Sequence, residues 1–104
     1  MNITQNYKVS VILATYNEDE YIEKCIISLL NQSYPINELI VVDDGSNDKT
    51  VEIIKKLMKD NHKLKLIQQN HKGAGVAWNL GVSKSNGEVI MIAGADYIYG
   101  KGYI

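Results

Sequence analysis

An unbroken apolar run, Leu39-Ile40-Val41-Val42, passes without transition into Asp43-Asp44-Gly45-Ser46-Asn47-Asp48, and no other stretch of the 104-residue chain constrains its fold as tightly. Four consecutive β-branched or leucine residues with no polar alternation suit a strand covered on both faces, as in the parallel sheet of an α/β protein. The acids then fall at the strand's carboxyl end, the side on which open α/β sheets bind ligands. Gly45 permits a sharp turn, and Asp48 is placed to cap a following helix. Carboxylates gather at functional sites, but Asp is also a common turn former. From this stretch alone, a ligand site and a plain junction of strand, turn and helix are equally open.

The rest of the chain supplies the partners such a strand needs. Residues 8–14 begin with alternation and end fully apolar, which predicts a first strand closed by Thr15-Tyr16-Asn17. Asn17 and Glu20 have the capping-box spacing, and Glu18 and Asp19 add negative charge to a first turn, so a helix is expected from Asn17 onward. Its stripe is Tyr21, Ile22, Cys25, Ile26, Leu29 and Leu30, and Pro35 stops it by Tyr34. After a second strand over 38–43, a helix over 49–59 turns Val51, Ile54, Leu57 and Met58 inward and leaves Lys55, Lys56 and Lys59 to solvent. Residues 64–69 alternate leucine with lysine, as a strand at a sheet edge would. A connection bearing Gly73 and Gly75 leads into a third helix over 76–83; it could admit a phosphate, but a tight turn is the commoner use of two glycines. A fourth strand over 88–93 ends in Gly94-Ala95-Asp96, a second delivery of an acid, and the tail over 97–104 shows no period.

Strictly alternating strands and helices joined by right-handed crossovers predict a Rossmann-like, three-layer α/β/α fold with a parallel four-stranded sheet in the order 3-2-1-4. Tyr16, Asp44 and Asp96 then converge where the first and fourth strands meet. With 11 basic and 12 acidic residues there is no field to attract nucleic acid or an anionic membrane. The single Cys25 excludes an internal disulfide and sits in an apolar stripe as a small buried residue. No apolar run approaches a membrane span, and residues 1–7 carry no signal-peptide pattern. The expected location is the cytoplasm, or the cytoplasmic face of a membrane for a longer parent.

Three motifs in order, Val9-Ser10-Val11-Ile12 with Thr15-Tyr16-Asn17, Asn31-Gln32-Ser33-Tyr34-Pro35, and Val41-Val42-Asp43-Asp44-Gly45-Ser46-Asn47-Asp48-Lys49-Thr50, resemble the N-terminal, nucleotide-sugar-binding half of inverting family 2 glycosyltransferases. The likeness continues from Gly73 to Gly81, similar to the family's glycine-rich segment ending in Ala-Arg-Asn-x-Gly, and through Gly87-Glu88 to Asp96. It implies the first half of a GT-A fold, with residues 1–7 an N-terminal extension and 8–104 the donor-binding half of a longer domain. It also implies transfer of a sugar from a nucleoside-diphosphate sugar, a UDP-sugar being the expected donor, to an acceptor hydroxyl with inversion. Ala14, Thr15 and Tyr16 would line the base pocket, with Tyr16 stacked on the base. Asp44 would accept from the base imide, Asp43 would support the same turn, and Lys72 and His71 would lie near the phosphates. Asp96, the last acid of the family's D-x-D element, would ligate a divalent cation, Mn or Mg. A hard ion favours carboxylate and phosphate oxygens, and it would offset the charge growing on a leaving diphosphate.

Two positions depart from the family pattern: Gly94 replaces the first acid of D-x-D, and Trp78 stands where arginine is frequent. For Trp78, an aromatic filling the core between helix and sheet is an equally good account. The general base of the family belongs to the second half of the domain, so no catalytic residue is expected here and the chain alone is expected to transfer no sugar. The alternative class is a nucleotide-binding or interaction module that keeps the fold without turnover. In either case the fourth strand becomes an open edge, so self-association through it or through the tail is expected. A receiver-like domain is disfavoured because Thr15-Tyr16-Asn17 stands where receivers place their acidic pair, and a dinucleotide-binding Rossmann domain because no G-x-G-x-x-G follows the first strand.

Overall fold

The computed structural model describes residues 7–95 and 97–104. Strands and helices alternate as β1 (Val9–Thr15), α1 (Ile22–Leu30), β2 (Glu38–Asp43), α2 (Thr50–Met58), β3 (Leu64–Gln68), α3 (Ala74–Lys84) and β4 (Val89–Gly94). The strands form one sheet in the order β3-β2-β1-β4, every pairing parallel. Register sets Thr15 opposite Asp43 and Ala14 opposite Gly94, so the three strand ends stop at one level.

The apolar runs are explained by burial on both faces: every residue of β1 and β2 is buried. Alternation then sorts them. Val9, Val11, Leu13, Leu39 and Val41 pack against Ile22, Cys25, Ile26 and Leu29 of α1 and Ile54 of α2. Ile12, Ala14, Ile40 and Val42 pack beneath Ala77, Trp78 and Leu80 of α3. The result is the expected three-layer α/β/α arrangement. A Cβ on Gly81 would lie 2.4 Å from Ile12 Cγ2, so glycine is what lets α3 close onto the sheet. No helix among the described residues is long and apolar enough to cross a membrane.

Two local expectations about the first helix are corrected. The first helix starts at Ile22 and not at Asn17. Asn17 has φ 50, and its Oδ1 accepts from the Asn47 N–H at 2.8 Å, so it braces two loops instead of capping a helix. Tyr21, left outside the helix, is 52% exposed and falls off the predicted stripe. The tail is also tied down although it has no period: Lys101 O accepts from Ser33 N at 2.8 Å, Gly100 O from Gln32 Nε2 at 2.7 Å, and the Ile104 N–H donates to Gln32 Oε1 at 2.9 Å. Tyr103 Oη reaches Ile92 O at 3.1 Å, so the tail packs against β4 of its own chain. β4 has β1 as its one sheet neighbour, and Val89, Ile90 and Ile92 are exposed.

At the opposite end of the sheet lies a polar cluster that composition does not announce. The buried Glu38 carboxylate accepts from Ser10 Oγ (2.6 Å), Asn86 N (2.8 Å) and Lys65 Nζ (2.8 Å), which ties β1, β2 and β3 to the connection that precedes β4. Burial raises its pKa, but the Lys65, Ser10 and Asn86 hydrogen bonds and the Lys65 charge outweigh burial and hold it below the ordinary value.

Candidate functional site

The level strand ends open into a crevice of about 430 Å³ between β1 and β4, walled by Tyr16, Asp44, His71, Ala74, Trp78 and Ala95 among others. This is the topological switch point of the sheet, where the connections from neighbouring strands diverge to opposite faces and leave a gap. Tyr16 presents a 40% exposed ring there because it is the first residue past β1.

Asp44 is 3% exposed, and its carboxylate organises the far wall. Oδ1 accepts from Gln69 Nε2 at 2.8 Å and Lys72 N at 2.7 Å; Oδ2 accepts from Gly73 N at 3.0 Å and lies 2.9 Å from His71 Nδ1. Burial raises the Asp44 pKa, but the Lys72 N–H, the Gln69 amide, the Gly73 N–H and the His71 ring together hold it below the ordinary carboxylate value. The group is therefore an anion at neutral pH. Gly45 has φ 88, and a Cβ there would meet His71 N at 2.9 Å, so the turn after Asp44 can touch residues 69–73 closely only as glycine.

The other acids of the central motif build the turn. Asp43 accepts from Gly45 N at 3.2 Å, from Ser46 N at 2.9 Å and from the Ser46 hydroxyl, and Asp48 Oδ1 accepts from Thr50 N at 2.9 Å at the start of α2. The turn is then braced to the one after β1: Asn17 N donates to Ser46 Oγ at 2.8 Å and Glu18 N to Thr50 Oγ1 at 2.9 Å. Thr15 lines the crevice, and its buried Oγ1 has no hydrogen-bond partner among the described residues.

Of the residues expected at a site, Ala14, Thr15, Tyr16 and Asp44 meet in the crevice. Asp43 lies behind them and borders a neighbouring polar crevice together with Gln68, Asn70 and Lys72. Lys72 itself gives the Asp44 carboxylate a backbone N–H. Asp96 lies outside the described residues. Trp78 packs on the core beneath α3, as the core-filling account expects, and it also lines the crevice, with Nε1 donating to Ala93 O at 3.3 Å. Sequence reasoning missed Gln69 as a partner of Asp44 and Glu18 as a lining residue. The signal for Gln69 was topological: the residue just past β3 must fall beside the residue just past β2, because the two strands pair in register. Among the described lining residues there are two carboxylates, Glu18 and Asp44, and no lysine or arginine. No group of three His, Cys, Asp or Glu among the described residues could hold a metal ion, and the Asp44 oxygens are already engaged by four donors.

Comparison with known proteins places this geometry. The profile of glycosyl transferase family 2 matches residues 10–104. An uncharacterised glycosyltransferase of Haemophilus influenzae is 38% identical over 89 residues, which cover 85% of this chain and 36% of that protein. The mannosyltransferase PcManGT from Pyrobaculum calidifontis, solved in complex with GDP-Man and Mn2+, superposes with a TM-score of 0.85 at 30% identity, covering 92% of this chain and 29% of that one. Residues 1–349 of TarS from S. aureus, solved in complex with UDP, give a TM-score of 0.81 at 33% identity, covering 91% and 29%. The chain thus spans about a third or less of these relatives.

Proposed function

The chain belongs to glycosyl transferase family 2, a family of enzymes, and on that premise we propose that the crevice between β1 and β4 binds the nucleotide portion of a nucleoside-diphosphate sugar. The observation that carries this reading is the meeting of an exposed aromatic face, Tyr16, with a buried anionic acceptor, Asp44, in one crevice. A base with a ring N–H, such as uracil, thymine or guanine, uses both: a ring to stack on, and an acceptor for that N–H. Thr15 Oγ1, buried in the same wall and without a partner among the described residues, supports the reading as a further polar contact. Ala14 shapes the floor, Asp43 holds the turn that presents Asp44, and Lys72 fixes the wall through its N–H. The N-terminal residues of α3 border the crevice, and a helix N-terminus favours the negative charge of a diphosphate.

The described residues do not make a metal site by themselves. We therefore place a divalent cation, Mn or Mg, with the diphosphate, which would supply most of its oxygen ligands, and assign Asp96 as the protein carboxylate that joins them. When bound, the ion offsets charge on the leaving diphosphate. In the full-length setting the reaction is sugar transfer from a donor, with a UDP-sugar first in line, to an acceptor hydroxyl with inversion. We place the acceptor-side general base outside residues 8–104. A nucleotide-binding module without turnover is the second reading, favoured by the absence of lysine and arginine among the described lining residues. We place the chain in the cytoplasm, a reducing compartment in which the thiol of the single, buried Cys25 is kept reduced. The exposed Val89, Ile90 and Ile92 of β4 are the proposed surface for self-association, and sedimentation at several concentrations tests it, a clean monomer refuting it.

The binding reading is tested by calorimetric titration of uridine, guanosine, thymidine and cytidine diphosphates, with and without manganese. Tyr16→Ala and Asp44→Ala should each weaken binding; loss of a buried acceptor costs ~1–3 kcal/mol, roughly 5- to 150-fold in affinity. Equal affinities in wild type and both variants would overturn the placement of the base.

A further inference from the structure

We infer that His71 is a built-in stand-in for the nucleobase: its imidazole fills the base subsite formed by Tyr16 and Asp44, and a nucleotide must displace it to bind. The inference rests on the base-pocket reading above and adds an occupant to it. The His71 ring centroid lies 4.2 Å from that of Tyr16, with the planes tilted by 31°. Its Nδ1 is 2.9 Å from Asp44 Oδ2 and 3.2 Å from Asp44 O. Both of those neighbours are acceptors only, so Nδ1 carries the proton and donates to them. A flat ring stacked on Tyr16 while donating an N–H to Asp44 makes the two contacts expected of a base that bears an imide.

The Asp44 oxygens explain why the two cannot be bound together. A carboxylate offers about four lone-pair positions, and all are committed, to Gln69 Nε2, Lys72 N, Gly73 N and His71 Nδ1. Two of those donors are backbone groups of the crevice wall. His71 is the partner able to leave, because its side chain is 60% exposed and a rotation about its own bonds returns it to water. An incoming base then takes over the Oδ2 position and the Tyr16 face in one exchange. Binding is therefore weakened by the fraction of molecules in which the ring is seated. If the ring is seated in nine molecules of ten, its removal tightens apparent affinity about tenfold.

The test compares wild type with His71→Ala, titrated with uridine diphosphate and guanosine diphosphate at fixed manganese. The variant removes an exposed side chain and leaves the Lys72 and Gly73 N–H groups on Asp44, so the wall persists. In parallel, proton NMR follows the His71 ring, with His62 as the internal reference in a chain of two histidines. The expected results are tighter binding by His71→Ala and a His71 resonance that is ring-current shifted in the free protein and moves toward the His62 position at saturation. Binding by both proteins with the variant no tighter, or a His71 shift unchanged at saturation, overturns the stand-in and leaves the base pocket in place. Absence of binding in both proteins overturns the pocket reading and the inference with it.

Discussion

Replacing Asp44 with Asn changes one oxygen to an NH2 group at the point where four donors converge. If the amide oxygen takes the Oδ1 position, Gln69 and Lys72 keep their acceptor, but the new NH2 faces the Gly73 N–H and the His71 ring, donor against donor. In the flipped orientation Gly73 and His71 are satisfied and Lys72 and Gln69 are not. Either way one backbone N–H loses its acceptor beside a side chain that is 3% exposed. Hydrogen bonds to a charged partner contribute ~1.5–3 kcal/mol each, while the pair with the 60% exposed His71 ring is screened and adds under about 1 kcal/mol. The expected loss is ~2–4 kcal/mol, a large share of the ~5–15 kcal/mol typical of a domain. Urea unfolding should show a lower midpoint with an unchanged slope, and amide exchange at Lys72 or Gly73 should accelerate. A loss under ~1 kcal/mol with both amides still protected would refute the idea that this carboxylate holds the wall together.

Three further outcomes follow from other parts of the chain. The Glu38, Asp44 and Asp48 carboxyls are all held below their ordinary values of 4.5, 3.8 and 3.8, so the stability they contribute is complete above those values and is lost as pH falls through the lower folded ones. Urea midpoints should therefore drop below about pH 4, and Glu38→Gln should be less stable at neutral pH with a shallower acid loss; an unchanged acid profile would argue against the cluster. Gly81→Ala drives a methyl to 2.4 Å from Ile12 Cγ2 on a rigid strand, which should cost ~1–3 kcal/mol by thermal or urea unfolding, and no loss would mean that α3 can lift freely. Asp96→Asn should abolish the manganese-dependent gain in nucleotide affinity measured by calorimetry, whereas retention of that gain would place the ion elsewhere.

The sheet was legible because burial on both faces leaves an unmistakable trace: Val11–Leu13 and Leu39–Val42 can be apolar throughout only between two layers of helices. Strand order followed from the parallel connections, and the expected order is the one observed. What stayed hidden were pairings between residues far apart in sequence. Asn17 and Glu20 carry a helix-start signal by spacing, yet the Asn17 side chain finds the Asn47 N–H, 30 residues away, and long-range geometry overrides the local cap. Lys65 is a solvated residue of an edge strand, as its alternation implies, yet it pairs with Ile40 and its Nζ reaches diagonally to the buried Glu38.

The same distinction separates the two aspartates of the central motif, and it bears on what the site is for. Asp43 and Asp44 are adjacent and chemically identical, so composition cannot assign them different duties. The pleat does: successive side chains at a strand end point to opposite faces, and Asp43 closes its own turn through Gly45 and Ser46 while Asp44 reaches across to residues 69–73. One acid therefore fixes where the other stands, and the second gathers a wall from a segment that the sheet, not the sequence, brings alongside. Because that wall includes a ring that can leave, the crevice is both held together and opened at a single carboxylate. Any substitution at Asp44 must then change stability and ligand affinity together, whereas substitution at His71 should separate them.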